Sequence, residues 1–188
     1  MLPTGLGTMS WSLILQIPIC ALRRRFPLGM RMSIAGLVVT MVDAGCFNDG
    51  VMAMGAVIRD SHRNVIMSSC CRKRVDVDPC TAEAMTIEWG LSLACHLNFK
   101  KIMLQSDAKV AVDCINHLIQ HANLGPLVVD CNSLMNKFDF ISVMFIMQTV
   151  NAVAHNLVGL GRRIGSRTWL DFTPMMSDYP VPSSFVSF

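Results

Sequence analysis

The stretch KIMLQSDAKVAVDCINHL, Lys101 to Leu118, decides how the rest of the chain is read. Ile102, Met103 and Leu104 form a short apolar run behind Lys100 and Lys101, the pattern of a strand. Beyond it Val110, Ala111, Cys114, Ile115 and Leu118 recur at helical spacing. Ser106 and Asp107 stand at the junction. An aspartate between a strand and a helix commonly caps the helix by accepting from its free backbone N–H groups. That is the plain reading of Asp107. A chemical reading depends on what other acids the fold brings near it.

Working back from this stretch, Leu37–Asp43 is apolar and rich in β-branched residues, and Val51–Arg59 and Val65–Lys73 are two more strand candidates. Gly45, Asn48, Asp49 and Gly50 mark one turn; Asp60 to Asn64 marks the next. Three strands joined by short turns predict an antiparallel meander. Its basic residues, Arg59, Arg63, Arg72, Lys73 and Arg74, suit either a solvated edge or a polyanion-facing surface.

A helix is expected over Pro79–Leu97, with Asp78 and Pro79 at its start. At about 100° per residue, Glu83 falls on the same stripe as Ile87, Gly90, Ala94 and Leu97. Glu88 points about 140° away and is expected to be exposed. A carboxylate heading an apolar face is penalised by desolvation unless a cation is near; the alternative is a first-turn glutamate favoured by the helix dipole.

After the central strand and helix, Gly125 and Pro126 precede a helical stretch, about Leu127–Lys137. Phe138–Gln148 is a strand candidate, and Val150–Ile164 a last helix with Val150, Val153, Leu157, Leu160 and Ile164 as its stripe. A meander followed by alternating strands and helices predicts an α/β fold: a mixed five-stranded sheet, three antiparallel strands and then parallel ones, flanked by helices.

Several local strings now matter together: Val42-Asp43-Ala44-Gly45, Gly55-Ala56-Val57-Ile58-Arg59-Asp60-Ser61, Ala82-Glu83-Ala84, Gln105-Ser106-Asp107, and Asn151-Ala152-Val153-Ala154-His155-Asn156-Leu157. In this order, each on its expected element, the chain resembles the ribonuclease H-like superfamily. The likeness is to the plant reverse transcriptase-like domains related to non-LTR retroelements, over residues 36–172.

The resemblance implies a metal-dependent endonuclease that cuts the RNA strand of RNA–DNA hybrids. Asp43, Glu83 and Asp107 match the acidic positions that hold divalent metal in active members. His155 falls on the fourth metal position, where those members carry an acid. Oxygen-only ligands suit Mg²⁺ or Mn²⁺, and a two-metal site would serve phosphodiester hydrolysis. Imidazole is a poorer ligand for Mg²⁺, so the second metal is expected to bind weakly. Val39, Met41, Asn64 and Gln148 also depart from the family pattern, which points to a diverged copy. The alternative is a non-catalytic nucleic-acid-binding or interaction domain on the same fold. Arg59, Arg63, Lys100 and Lys101 are candidate phosphate contacts.

Composition bounds the remainder. The 188 residues are 52% hydrophobic and 15% charged with a net charge of +3, which excludes a disordered chain and permits a polyanionic partner. Eight cysteines show no CxxC or zinc-finger spacing and read as reduced thiols, consistent with an intracellular setting, nuclear or cytoplasmic. Residues 1–35 are expected to be an N-terminal extension. Its apolar run from Trp11 to Leu22 is too short for a membrane span and lacks a preceding basic residue. Residues 173–188 are expected to be an irregular tail. There is no GxGxxG, P-loop or GxSxG string.

Overall fold

The computed structural model describes residues 36–178. The expectations for residues 1–35 and for the end of the tail lie outside the described residues. Strands β1 (Leu37–Phe47), β2 (Val51–Arg59) and β3 (Val65–Arg74) form the meander. Helix α1 (Pro79–His96), strand β4 (Lys101–Ser106), helices α2 (Lys109–Ile115) and α3 (Gly125–Met135), strand β5 (Phe140–Phe145), helix α4 (Ala152–Ile164) and strand β6 (Arg167–Leu170) follow. The sheet order is β5-β4-β1-β2-β3-β6, with β1–β4 and β4–β5 parallel and the other pairs antiparallel. The expected mixed sheet between helices is present. β6 adds a sixth strand on β3, and the Ser68 hydroxyl donates to the Phe172 carbonyl at 2.6 Å just beyond it.

Asp78 starts α1: its Oδ1 accepts from the Thr81 backbone N–H at 3.0 Å, and Pro79 follows where no backbone donor is needed. Nearly all of α1 beyond its first turn is buried, because the sheet covers one side and α3 the other. This corrects the expectation for Glu88, which is only 7% exposed. Angular position along one helix does not reveal a second covering layer. Glu88 lies near Cys131 of α3 and within electrostatic reach of Lys73.

α4 covers the opposite face, across β1, β2 and β3. Gly55 on β2 permits this, since a Cβ there would collide with the Ala154 carbonyl and with Leu157. Leu157 and Leu160 are buried as expected, joined by Val158 and Gly161. Val150 instead precedes the helix and is 57% exposed. In the second turn the left-handed residue is Arg63, φ 68°, and not Asn64; Asp60 Oδ1 accepts from the backbones of His62 and Asn64 at 2.8 Å and fixes the turn.

Candidate functional site

Parallel pairing of β1 and β4 ends at Val42 and Ser106, so Asp43 and Asp107 sit side by side just beyond that ladder. β1 itself runs on past the expected end at Asp43, through Gly45 to Phe47, in its pairing with β2. Glu83 comes from the first turns of α1. Asp43 is 3% exposed, and its Oδ1 accepts from the backbone N–H of Ala44 at 2.9 Å. Burial pushes its carboxyl above the usual range, the charge of Asp107 adds to this, and a hydrogen bond with His155 opposes it. Burial, then the charges of Asp43 and Asp107, push the Glu83 carboxyl up to about 8. The Glu83 Oε2 atom is buried and has no hydrogen-bond partner. The fold therefore brings the three acids within electrostatic reach of one another, at the cost of repulsion.

The capping role expected of Asp107 is not what its side chain does. The residue before α2 is Ala108, without a side-chain cap, and Ser106 Oγ accepts from the Ala108 backbone N–H at 3.1 Å. The Asp107 Oδ1 accepts instead from Nδ2 of Asn151, at 2.7 Å. Asn151 is fully buried where α4 begins, and the same Nδ2 donates to the Val42 carbonyl at 2.8 Å. One amide thus ties β1, the end of β4 and α4 together. Its helical neighbourhood hides this contact in the sequence; only the fold supplies the partners.

His155 lies one turn along α4. Its Nδ1 is 2.8 Å from Oδ2 of Asp43, and its side chain is 57% exposed. With the carboxylate ionised, the imidazole N–H donates. The acids are thus engaged separately, Asp43 with His155 and Asp107 with Asn151. Among the described residues, no three His, Cys, Asp or Glu side chains are gathered to hold a metal ion as they stand.

The candidate phosphate contacts sit elsewhere. Lys101 opens β4, six residues or about 20 Å of strand from Asp107. Arg59 pairs with Val39 near the start of β1, and Arg63 lies in the turn beyond it. The arginines at the acidic end of β1 are Arg72, Arg74 and Arg162.

The model of the reverse transcriptase-like family matches residues 42–160, a span that runs from the residue before Asp43 through His155. The chain belongs to that family. No curated protein matches this reverse transcriptase-like chain significantly. Solved structures share its fold. The ribonuclease H1 of the halophilic archaeon Halobacterium salinarum aligns at 18% identity and a TM-score of 0.62, over 65% of this chain and 95% of that one. The N-terminal ribonuclease H domain of a Mycobacterium tuberculosis protein aligns at 23% identity and 0.59, over 65% and 91%. A compost-derived ribonuclease H1, solved in complex with an RNA/DNA hybrid, aligns at 16% identity and 0.59, over 65% and 94%. At these identities the likeness establishes the fold. No helix among the described residues is long and apolar enough to cross a membrane.

Proposed function

We propose that this domain is a ribonuclease H-type endonuclease acting on the RNA strand of RNA–DNA hybrids. The observation that carries the reading is the set of Asp43, Glu83 and Asp107, electrostatically coupled at one sheet end, with Glu83 Oε2 buried and unpartnered. Mutually repelling carboxylates with a spare oxygen are a donor set suited to a hard divalent cation. Asp43, Glu83 and Asp107 would hold Mg²⁺ or Mn²⁺, which when bound supplies Lewis acidity for phosphodiester hydrolysis. Asn151 keeps Asp107 at the end of β4 for that task, and Ala44 N–H holds Asp43. His155 restrains the second oxygen of Asp43. Family membership and the hybrid-bound ribonuclease H1 neighbour support the substrate class.

A second reading is favoured by one observation. His155 is hydrogen-bonded to Asp43, and among the described residues no three side chains stand ready together as ligands. Under it the domain binds nucleic acid without cutting. Cleavage of a labelled RNA–DNA hybrid with Mg²⁺ and with Mn²⁺ separates the two. Metal-dependent loss of the RNA strand that disappears in Asp107→Asn supports the enzyme; a wild-type chain that binds the hybrid and leaves it intact with both ions supports the binding domain.

A further inference from the structure

Phe47 ends β1 on the side of the sheet that α4 covers: Met41 of that strand packs with Leu157, and a Cβ on Gly45 would meet Val158 and the Phe47 ring. The guanidinium carbon of Arg162, near the end of α4, lies 4.0 Å from the centre of that ring. Two strands over, Cys70 faces Gly161, so Arg72 and Arg74 alternate onto the same face. Pairing sets Gly45, Ala53 and Arg72 in one row and Phe47, Val51 and Arg74 in the next. Arg72 Nη1 donates to the Arg162 carbonyl at 3.1 Å. All three arginines are exposed, and among the described residues none of them is in an ion pair. Beside Phe47 and Arg162 opens a cavity of about 460 Å³, lined also by Cys46, Asn48 and Asp49.

A single exposed cation over a ring is accounted for by the modest stability it adds. Arg72 and Arg74, on the same face in the adjoining rows, add positive charge beside it and suit an anionic ligand. The cavity has room for a small organic group such as a nucleotide. An aromatic face takes a base only when that base is unpaired. The position is also apt: Arg162 lies two helical turns from His155 on the same flank of α4, about 10 Å away, or about three nucleotide steps along a duplex. Asp49 on the cavity rim, with Asp76, Asp78 and Glu83 on the Cys46 side, would turn phosphates toward the arginines.

We propose that Phe47, Arg162, Arg72 and Arg74 form a binding site for single-stranded nucleic acid leaving the hybrid, a base stacking at the Phe47–Arg162 pair and phosphates facing Arg72 and Arg74. The site takes its position beside the hybrid from the function proposed above, but its test does not use cleavage. An oligodeoxythymidine is titrated against the full chain and against Phe47→Ala and Arg162→Gln. A short blunt RNA–DNA hybrid serves as a separate arm, and mass spectrometry reads iodoacetamide labelling of the exposed Cys46. The single strand is expected to bind, to protect Cys46, and to lose about five-fold or more in affinity in each variant, with blunt-hybrid binding kept. Arg162→Gln changes an exposed side chain and keeps the test valid where Phe47→Ala fails to fold. A single strand that does not bind, that binds Arg162→Gln as it binds the wild type, or that leaves Cys46 labelling unchanged overturns the site. Single-strand binding without blunt-hybrid binding supports this site and sinks the hybrid reading.

Discussion

Nδ1 of His155 and Oδ2 of Asp43 stand 2.8 Å apart, joining two residues 112 positions distant in sequence. An imidazole thus satisfies the most buried acid of the site. His155→Asp exchanges that hydrogen bond for a fourth carboxyl group beside the other three. The metal-free variant should lose about 1 kcal/mol or more, a fall in Tm of roughly 2–4 °C per kcal/mol for a chain of this size. Added Mg²⁺ should restore more Tm than it adds to the wild type, and hybrid cleavage should rise. Thermal melts with and without Mg²⁺ check this; a variant whose metal-induced shift matches the wild type contradicts it.

Asp107→Asn keeps an oxygen for the Asn151 amide and removes the charge. Its melting temperature without metal should equal or slightly exceed the wild-type value, because repulsion with Asp43 and Glu83 is relieved. Cleavage should fall by at least the 10- to 100-fold, roughly, that even outer partners of metal ligands cost. Near wild-type cleavage in this variant would remove Asp107 from the chemistry.

Asn151 gives a stability test. Asn151→Ala strands both the Val42 carbonyl and the Asp107 carboxylate, and should cost about 2–3 kcal/mol. Asn151→Asp should be worse at neutral pH, since an acceptor then faces two acceptors. Urea denaturation orders the three proteins, and an aspartate variant more stable than the alanine one would reverse this account.

The raised carboxyl of Glu83 makes stability depend on pH. Its ordinary value is 4.5 and burial with two neighbouring acids raises it to about 8 in the folded chain. Between those values the folded state holds a proton that the unfolded state releases. The stability is complete below about 4.5 and drains away as pH rises to about 8. Asp43, raised in the same direction from its ordinary 3.8, adds to the loss as pH rises. Glu83→Gln should flatten the decline, and wild-type Tm should drop from pH 6 to pH 8 more than that of the variant.

Much of this site was legible because its acids close or interrupt apolar runs. Asp43 closes an apolar β-branched run, Asp107 follows one, and Glu83 interrupts an apolar helical stripe, so local pattern alone marks all three. The contacts that engage them were not legible. Asn151 and His155 reach back 44 and 112 residues, and periodicity within α4 carries no information about the strand ends it meets. Glu88 was misplaced for a related reason, α3 covering the side of α1 that a single stripe leaves to solvent. β6 is four residues long, too short for an alternating pattern to stand out, and is defined by its pairing with Met67–Cys70.

The Asn151 amide binds the site to the order in which the chain is made. Asp43, Glu83 and Asp107 all leave the ribosome before the helix that holds Asp107 in place and meets Asp43. A nascent chain that ends before Asn151 lacks both the amide that holds Asp107 and the imidazole that meets Asp43. The restraint on both aspartates therefore comes from a segment made late, Asn151 to His155 beside Gly55, and a message cut short upstream of it yields a chain whose acids lack these partners.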